Sequence, residues 1–274
     1  MYLRMYEEQL QLLEERKNDL DPTNYNIVFM GDSWVERNGH TSIEIFKNAM
    51  DEAKKYDPLL ILHGGDIVFS GSDKDNFQFF IDTKNSDAPD LPLFTAIGNH
   101  EMNIQLTGDA AVANFVEMIG PLHFTLNIPE YELTLIALDS LYHHVYHEYG
   151  LTKEELQYLR ENLEDRYQNT FVGMHVPPAT DKWVPEPGDD SFFTKGNQAF
   201  FREVKGKIVA ALVSHVHTFA FTRYRGTRLY LSGGGGAALV RKSIFHIFVI
   251  NIRNYSGGRK IHVSVVPIGE ESPV

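Results

Sequence analysis

Six residues of metal-ligating type, and one further histidine, fall just after short apolar runs. Asp32 follows Ile27 to Met30, Asp66 follows Leu59 to Leu62, and Asn99 with His100 follows Leu93 to Ile97; His175 follows Phe171 to Met174, and His215 with His217 follows Ile208 to Val213. In an open α/β sheet the carboxyl ends of the strands form the ligand crevice, so five strand ends would deliver these groups to one edge. Two carboxylates, one amide and three imidazoles are the donors that a pair of borderline divalent cations uses. Singly, each has a plainer reading: an Asp after a strand is commonly a helix cap or turn residue, and a lone His a hydrogen-bonded core residue. The groupings Gly98-Asn99-His100-Glu101 and His215-Val216-His217 are more pointed. Strand alternation would set His215 and His217 on the same face, aimed at adjacent metals.

Composition narrows the chemistry. The chain has 274 residues, 25 Lys+Arg against 37 Asp+Glu, a net charge of −12, and no cysteine. An acidic chain offers no basic surface to a nucleic-acid backbone, so sequence-independent nucleic-acid binding is not expected. Without cysteine there are no disulfides and no thiolate sites, and any transition metal must be held by His nitrogen and by carboxylate or amide oxygen. A chain of this length buries enough surface to fold without staples, so a metal would serve chemistry. The apolar runs are strand-length, so no membrane span is expected. The first twenty residues lack the apolar core of an export signal; the compartment expected is cytoplasmic, or extracytoplasmic if an export segment has been removed. Oligomeric state is left open.

The elements that must position these groups alternate along the chain. Leu3, Tyr6, Leu10 and Leu13 recur at helical intervals, which predicts an amphipathic helix over 1–22, with one domain over 23–274. Thr41-Ser42-Ile43-Glu44 reads as a capping box before Ile45, Phe46, Ala49, Met50 and Ala53. Short helices are expected over 73–82 and 110–119, and a hairpin over 124–138. Thr152-Lys153-Glu154-Glu155 is a second capping box, ahead of Leu156, Leu159 and Leu163. Residues 176–196 read as irregular, and the chain after 208 as rich in strands. No linker, charge block or repeat divides it. One α/β domain with two sheets is the expected fold class.

Gly31-Asp32, Gly65-Asp66, Gly98-Asn99-His100-Glu101, Met174-His175-Val176-Pro177-Pro178 and Ser214-His215-Val216-His217 resemble, in order, the five motifs of the calcineurin-like metallophosphoesterases. The resemblance runs from about Tyr25 to Ile252. It includes Gly233 to Gly236, a run that often follows the last motif in bacterial members related to purple acid phosphatases and cyclic-nucleotide phosphodiesterases. It implies a four-layer αββα sandwich of two mixed sheets flanked by helices. Position by position it implies that Asp66 bridges two metals, that Asn99, His175 and His215 complete one shell, and that Asp32 and His217 belong to the other. The implied ions are two divalent or transition metals, Mn, Fe, Zn, Co or Ni. The implied activity is hydrolysis of a phosphate mono- or diester by a hydroxide held between them, with His100 beside the scissile ester as hydrogen-bond or proton donor. Two such cations would make the crevice locally positive, so a small phosphate ester or nucleotide is the expected substrate.

The resemblance has departures. Most members carry Asp-x-His in the first motif, whereas the third position here is Trp34, which leaves the Asp32 metal fewer protein ligands and weaker occupancy. Purple acid phosphatases place a tyrosine three residues after the bridging Asp; phosphoprotein phosphatases place an Asp there, followed by an Arg. Here these are Phe69 and Ser70, so neither an iron-tyrosinate centre nor a phosphoprotein phosphatase is expected. Glu36 and His40 are candidate replacement ligands. His143 and His147 have a metal-compatible helical spacing but read better as a polar loop on the crevice rim. The glycine run lacks the Lys-Ser/Thr of a P-loop, so it is expected to pack closely beneath the site. Trp183, Pro185, Pro187, Asp189 and Asp190 mark an insertion, read either as a lid or as a solvated loop. The alternative to an enzyme is a metal-depleted binding module on the same scaffold, as in the retromer subunit of this fold; Trp34 is its only support in the sequence.

Overall fold

Strands β1 (Asn24–Met30), β2 (Leu60–His63) and β3 (Leu93–Thr95) run parallel, and β10 (His246–Tyr255) and β11 (Gly258–Pro267) extend them in the order β11-β10-β1-β2-β3. The computed structural model describes residues 4–37, 40–185, 190–240 and 242–269, without the side chain of His40. A second sheet has the order β4-β5-β6-β7-β9-β8. In it β5 (Leu133–Ala137), β6 (Asn169–Met174), β7 (Ala210–Val213) and β9 (Thr227–Ser232) are parallel, and β4 (Phe124–Ile128) and β8 (Phe219–Tyr224) are antiparallel edges.

The near-continuous apolar character of the central strands follows from burial on both faces. Ile27, Phe29, Leu60 and Leu62 of the first sheet pack with Leu133, Leu135, Phe171, Ala210 and Leu212 of the second, forming the core between the sheets. The alternate residues, Val28, Met30 and Ile61 on one side and Ile136, Val172, Met174, Ala211 and Val213 on the other, face outward. Helices cover them: α2 (His40–Lys54) and α3 (Lys74–Asp87) present Phe46, Ala49, Met50, Phe77 and Phe80. On the far side α5 (Lys153–Asn162) and α6 (Asn197–Val204) present Leu159, Phe200, Phe201 and Val204. The α/β sandwich with two mixed sheets flanked by helices is thus the architecture present.

Helix α1 (Met5–Arg16) closes one end of the sandwich; Leu3 lies outside the described residues. Its Tyr6 ring lies 5.7 Å from Phe94 and 5.3 Å from Phe124, touching both sheets, and Leu93 N–H donates to Gln9 Oε1 at 3.0 Å. The short helix α4 (Ala113–Met118) leads into the expected hairpin of β4 and β5. Thr152 caps α5, its Oγ1 accepting from Glu155 N–H at 3.2 Å, which is half of the expected box; the Glu155 carboxylate turns instead to His123 Nδ1 at 2.6 Å and to Asp139 N–H at 3.2 Å. The box at Thr41 does not form as read. Helix α2 begins at His40, so Thr41 already lies inside it. Helix α3 starts from an Asp73 cap and runs to Asp87, beyond the expected end, and α6 arises in a stretch for which no element was expected.

Two glycines let the sheets' ends meet. Ser214, just past β7, sits in the space where side chains on Gly31 and Gly64 would be: a Cβ on either would lie 2.1 or 2.0 Å from its Oγ. That Oγ instead donates to Ser232 O at 2.9 Å. Gly64→Ala should destabilise the fold by about 1–3 kcal/mol through overpacking, and Ser214→Gly should recover part of the loss. Chemical denaturation of the two single variants and the double checks this; strict additivity would contradict the contact.

Candidate dimetal site

Past the ends of β1 and β2 the backbone keeps pairing. Gly64 N–H donates to Met30 O at 2.7 Å, Asp32 N–H to Gly65 O at 3.0 Å and Trp34 N–H to Asp66 O at 3.0 Å, holding the Asp32 and Asp66 loops side by side. Asp32, Trp34, Asp66 and His215 adopt left-handed φ values of 60, 47, 56 and 70°. Such strain in non-glycine residues collects where function over-determines the backbone. The glycine run packs beneath, as expected: Gly235 N–H donates to Gly31 O and Ala237 N–H to Asp32 O, and a Cβ on Gly236 would lie 2.3 Å from Ser33 O.

Two groups of donors result. Asp66, His175 and His215 form one, and Asp32, Asp66 and His217 the other; within each, the donor atoms all lie within 4.8 Å of one another. Asp66 is common to both. Asn99 joins the first, its Oδ1 lying 3.0 Å from His175 Nε2. All six sequence-predicted ligand residues therefore converge. The route for two of them differs from the expectation: β7 ends at Val213, so His215 and His217 are placed by a tight turn, with His215 at positive φ, and not by strand alternation.

Outer hydrogen bonds set which ring atoms face inward. His175 Nδ1 donates to Gly64 O at 2.8 Å, His215 Nε2 to Asp190 O at 3.2 Å and His217 Nδ1 to Ala238 O at 2.7 Å. With these donors engaged, His175 Nε2 and His215 Nδ1 face each other across 3.1 Å. Two lone pairs at that distance repel unless a cation or proton lies with them. Asp32 Oδ1 is buried with no hydrogen-bond partner among the described residues, 3.5 Å from His217 Nε2. No Lys or Arg pairs with Asp32 or Asp66 there; only imidazoles do. These donors fit divalent cations on chemistry, orphaned lone pairs and charge.

The electrostatics report the same demand for positive charge. Burial disfavours the His175 imidazolium, yet the Asp66 carboxylate, with Asp32 and Glu101 behind it, lifts it to about 9. Burial would raise Asp66, but His175 draws it well below the usual carboxylate range. Burial and the charge on His175 push His215 down to about 4.

Three contributors escaped the sequence reading. Glu101, fully buried, clasps the loops: Oε2 accepts from Asp66 N–H and Gly98 N–H, both at 2.7 Å, and Oε1 from Val68 N–H at 3.2 Å. Burial and the Asp66 carboxylate push it up to about 8, against the Val68 and Gly98 N–H bonds and the charge on His175. His63, at the end of β2, accepts from Gly65 N–H at 3.2 Å, and burial pushes it down to about 4. Trp34 donates Nε1–H to Asp66 Oδ2 at 3.2 Å. Glu101 lies inside a motif already singled out; Trp34 was noted only for the histidine it replaces, and its bond to Asp66 depends on the left-handed turn.

His100 stands beside this group, partly exposed. Its backbone N–H donates to Asp66 Oδ1 at 2.9 Å, and Nδ1 is 2.6 Å from Phe69 O. Glu36 is partly exposed and joins neither donor group, and the His40 side chain lies outside the described residues. His143 and His147 share no helix: His143 lies in a short 3-10 turn, Tyr142–His144, broken by its own φ of 54°, and His147, beyond that turn, pairs its Nδ1 with Asp190 Oδ2 at 2.5 Å. That loop and the 176–196 insertion line a cavity of about 500 Å³ that includes Tyr149, Asp190, Phe192 and Lys195. Tyr149 also lies ring to ring with His215 at 5.1 Å. Pro187 and Asp189 lie outside the described residues.

A two-sheet sandwich with donors for two cations at its strand ends defines the dimetal class of phosphoesterase folds. The chain belongs to the calcineurin-like phosphoesterase family, whose profile matches residues 11–219. No curated protein sequence matches it. Its fold is similar to that of a candidate 5′-nucleotidase from Staphylococcus aureus, at TM-score 0.62 and 14% identity over 91% of this chain and 55% of the other. It is also similar to a purple acid phosphatase from yellow lupin (Lupinus luteus) seeds, at TM-score 0.62 and 15% identity over 83% of this chain and 49% of that one. The chain thus spans about half the length of these two. The anchor of the Plasmodium inner membrane complex shares the fold at TM-score 0.55 and 9% identity, over 90% of each chain. No described helix is long and apolar enough to cross a membrane.

Glu101→Gln puts an amide N–H against buried N–H donors. It should cost about 1–3 kcal/mol in urea denaturation and weaken metal binding by roughly 10–100-fold, as loss of a supporting partner does. Unchanged stability and metal affinity would contradict the clasp.

Proposed function

We propose that this chain is a metal-dependent hydrolase of phosphate esters, and the observation that carries the reading is the sharing of Asp66 between two donor groups. Asn99, His175 and His215 would hold one cation with Asp66, and Asp32 and His217, also with Asp66, would hold the other. The cations supply an acidified water nucleophile and neutralise charge developing on the phosphoryl oxygens. The chain's own residues do the rest. The Asp66 carboxylate is oriented by Trp34 Nε1–H and His100 N–H, one on each oxygen. His175 and His217 give Nδ1–H to backbone carbonyls, which turns Nε2 of each ring toward the centre.

His100 is the general acid. Its Nδ1 is taken by the Phe69 carbonyl, which leaves Nε2 as the atom that gives a proton to the departing alkoxide. Because Trp34 stands at the third position of the first motif, fewer side chains, Asp32, Asp66 and His217, would hold the second cation, and it would exchange more readily than the first. The −12 balance of the chain is no obstacle to an anionic substrate, since the cations make the crevice locally positive.

Reconstituted with Mn²⁺, the protein should hold between one and two ions per chain by elemental analysis and hydrolyse members of a panel of phosphate monoesters, cyclic nucleotides and diesters. His100→Ala should lower kcat by about 10²–10⁴-fold with metal content unchanged. Negligible metal together with no hydrolysis would sink the enzyme reading in favour of a binding module.

A further inference from the structure

Phe69 is a large aromatic residue left 44% exposed beside a catalytic-type centre. Its backbone is fixed on both sides: its N–H donates to Val35 O at 3.3 Å and its carbonyl meets His100 Nδ1 at 2.6 Å. Its ring meets Trp34 edge-on, 5.4 Å between centroids at 80°, and lies 5.6 Å from His100. Trp34 in turn tilts over His100 at 4.4 Å and meets His217 edge-on at 4.8 Å. An indole anchored at 3.2 Å on Asp66 Oδ2 cannot swing away without breaking that bond.

The four rings therefore form one wall that starts at the Asp32, Asp66 and His217 group and ends on the open Phe69 ring. Beyond His215 lie Tyr149 and Phe192 together with the His147–Asp190 and Lys195–Glu148 pairs, a more mixed surface. If His100 Nε2 protonates the leaving oxygen, the group attached to that oxygen lies beside His100, on the aromatic side. A planar ring there gains offset or edge contacts with Trp34 and Phe69 that an aliphatic group does not match.

We propose that Trp34 and Phe69 form a stacking platform for a planar ring in the leaving group of the phosphate ester, making Phe69 a specificity-determining residue. The inference rests on the phosphoesterase reading above. The ring is that of an aryl ester or of a nucleoside base, two sources of one chemistry that differ in their distance from phosphorus. Phe69 is the residue to vary, because Trp34 also bonds Asp66 and its loss would disturb the centre itself.

With the Mn²⁺-reconstituted full chain, kcat/KM is measured for phenyl phosphate, adenosine 5′-monophosphate and glycerol phosphate in the wild type, Phe69→Ala and Phe69→Trp. Phe69→Ala should lower kcat/KM for a ring-bearing ester by about tenfold more than for glycerol phosphate, mainly through KM, as expected for loss of one stacking contact. Phe69→Trp should restore the difference. A selective loss with phenyl phosphate alone points to an aryl ring, and with the nucleotide alone to a base. Equal losses on all three substrates would overturn the platform. Should the wild type hydrolyse none of these three monoesters, the platform is read by binding instead, and the phosphoesterase reading is decided separately on the wider panel of mono- and diesters above. In a Trp183→Phe background, leaving Trp34 as the one tryptophan, the nucleotide should quench fluorescence at lower concentration than glycerol phosphate, with the difference lost in Phe69→Ala. No difference between the two ligands would overturn the platform on that arm.

Discussion

Burying three carboxylates within reach of one another, with no Lys or Arg among the described residues to meet the two that face inward, is the constraint on which the structure turns. Asp32, Asp66 and Glu101 are almost wholly inaccessible to solvent. Desolvating one such charge costs several kcal/mol even after relaxation, so each must be held by hydrogen bonds and either matched by positive charge or, like Glu101, pushed toward its neutral form. Asp66 is the extreme case. Its N–H goes to Glu101, its carbonyl to Trp34 N–H, and its two carboxylate oxygens to His100 N–H and Trp34 Nε1–H. That set fixes where its remaining lone pairs face. The Asp32 carboxylate accepts one bond among the described residues, from His215 N–H at 3.0 Å, and its other oxygen is left bare toward His217. Such an arrangement is tolerable when cations complete it and costly otherwise.

The sandwich is what brings the parts together. Asp32, Asp66 and Asn99 come from the first sheet's strand ends, and His175, His215 and His217 from the second's. Neither sheet alone holds a complete group. Their spacing is set by the core between the sheets, where Gly173 passes so close to Leu62 that a Cβ would lie 2.7 Å from it, and by Ser214 seated against Gly31 and Gly64. Core packing and ligand geometry are in this sense one problem: a change that widens the gap between sheets moves the histidines away from the carboxylates.

Much of this was legible in the chain because strands buried on both faces announce themselves as unbroken apolar runs, and the polar residues that end them stand out. Asp32, Asp66, Asn99, His100, His175, His215 and His217 were all visible that way. Other features were hidden for identifiable reasons. The turn that carries His215 and His217 depends on a left-handed backbone at a non-glycine residue, which side-chain alternation does not anticipate. The bonding of Glu101 to Asp66 N–H and Val68 N–H spans 35 and 33 residues, beyond any local pattern. Helix α2 starts a residue before its expected cap, and α6, with only eight residues, carries too short a period to stand out.

Trp34 illustrates how one position can change the character of a site without dispersing it. Where relatives of this motif style place a histidine, the indole supplies a hydrogen bond to the shared carboxylate and an aromatic surface over His100. The remaining donors still close around two positions, one richer in nitrogen than the other. Anomalous diffraction at the metal edge, from crystals of the Mn²⁺-reconstituted protein, addresses the central claim directly. Two peaks should appear, both within bonding distance of Asp66, with the stronger beside His175 and His215; no peak at Asp66, or peaks only elsewhere, would contradict it.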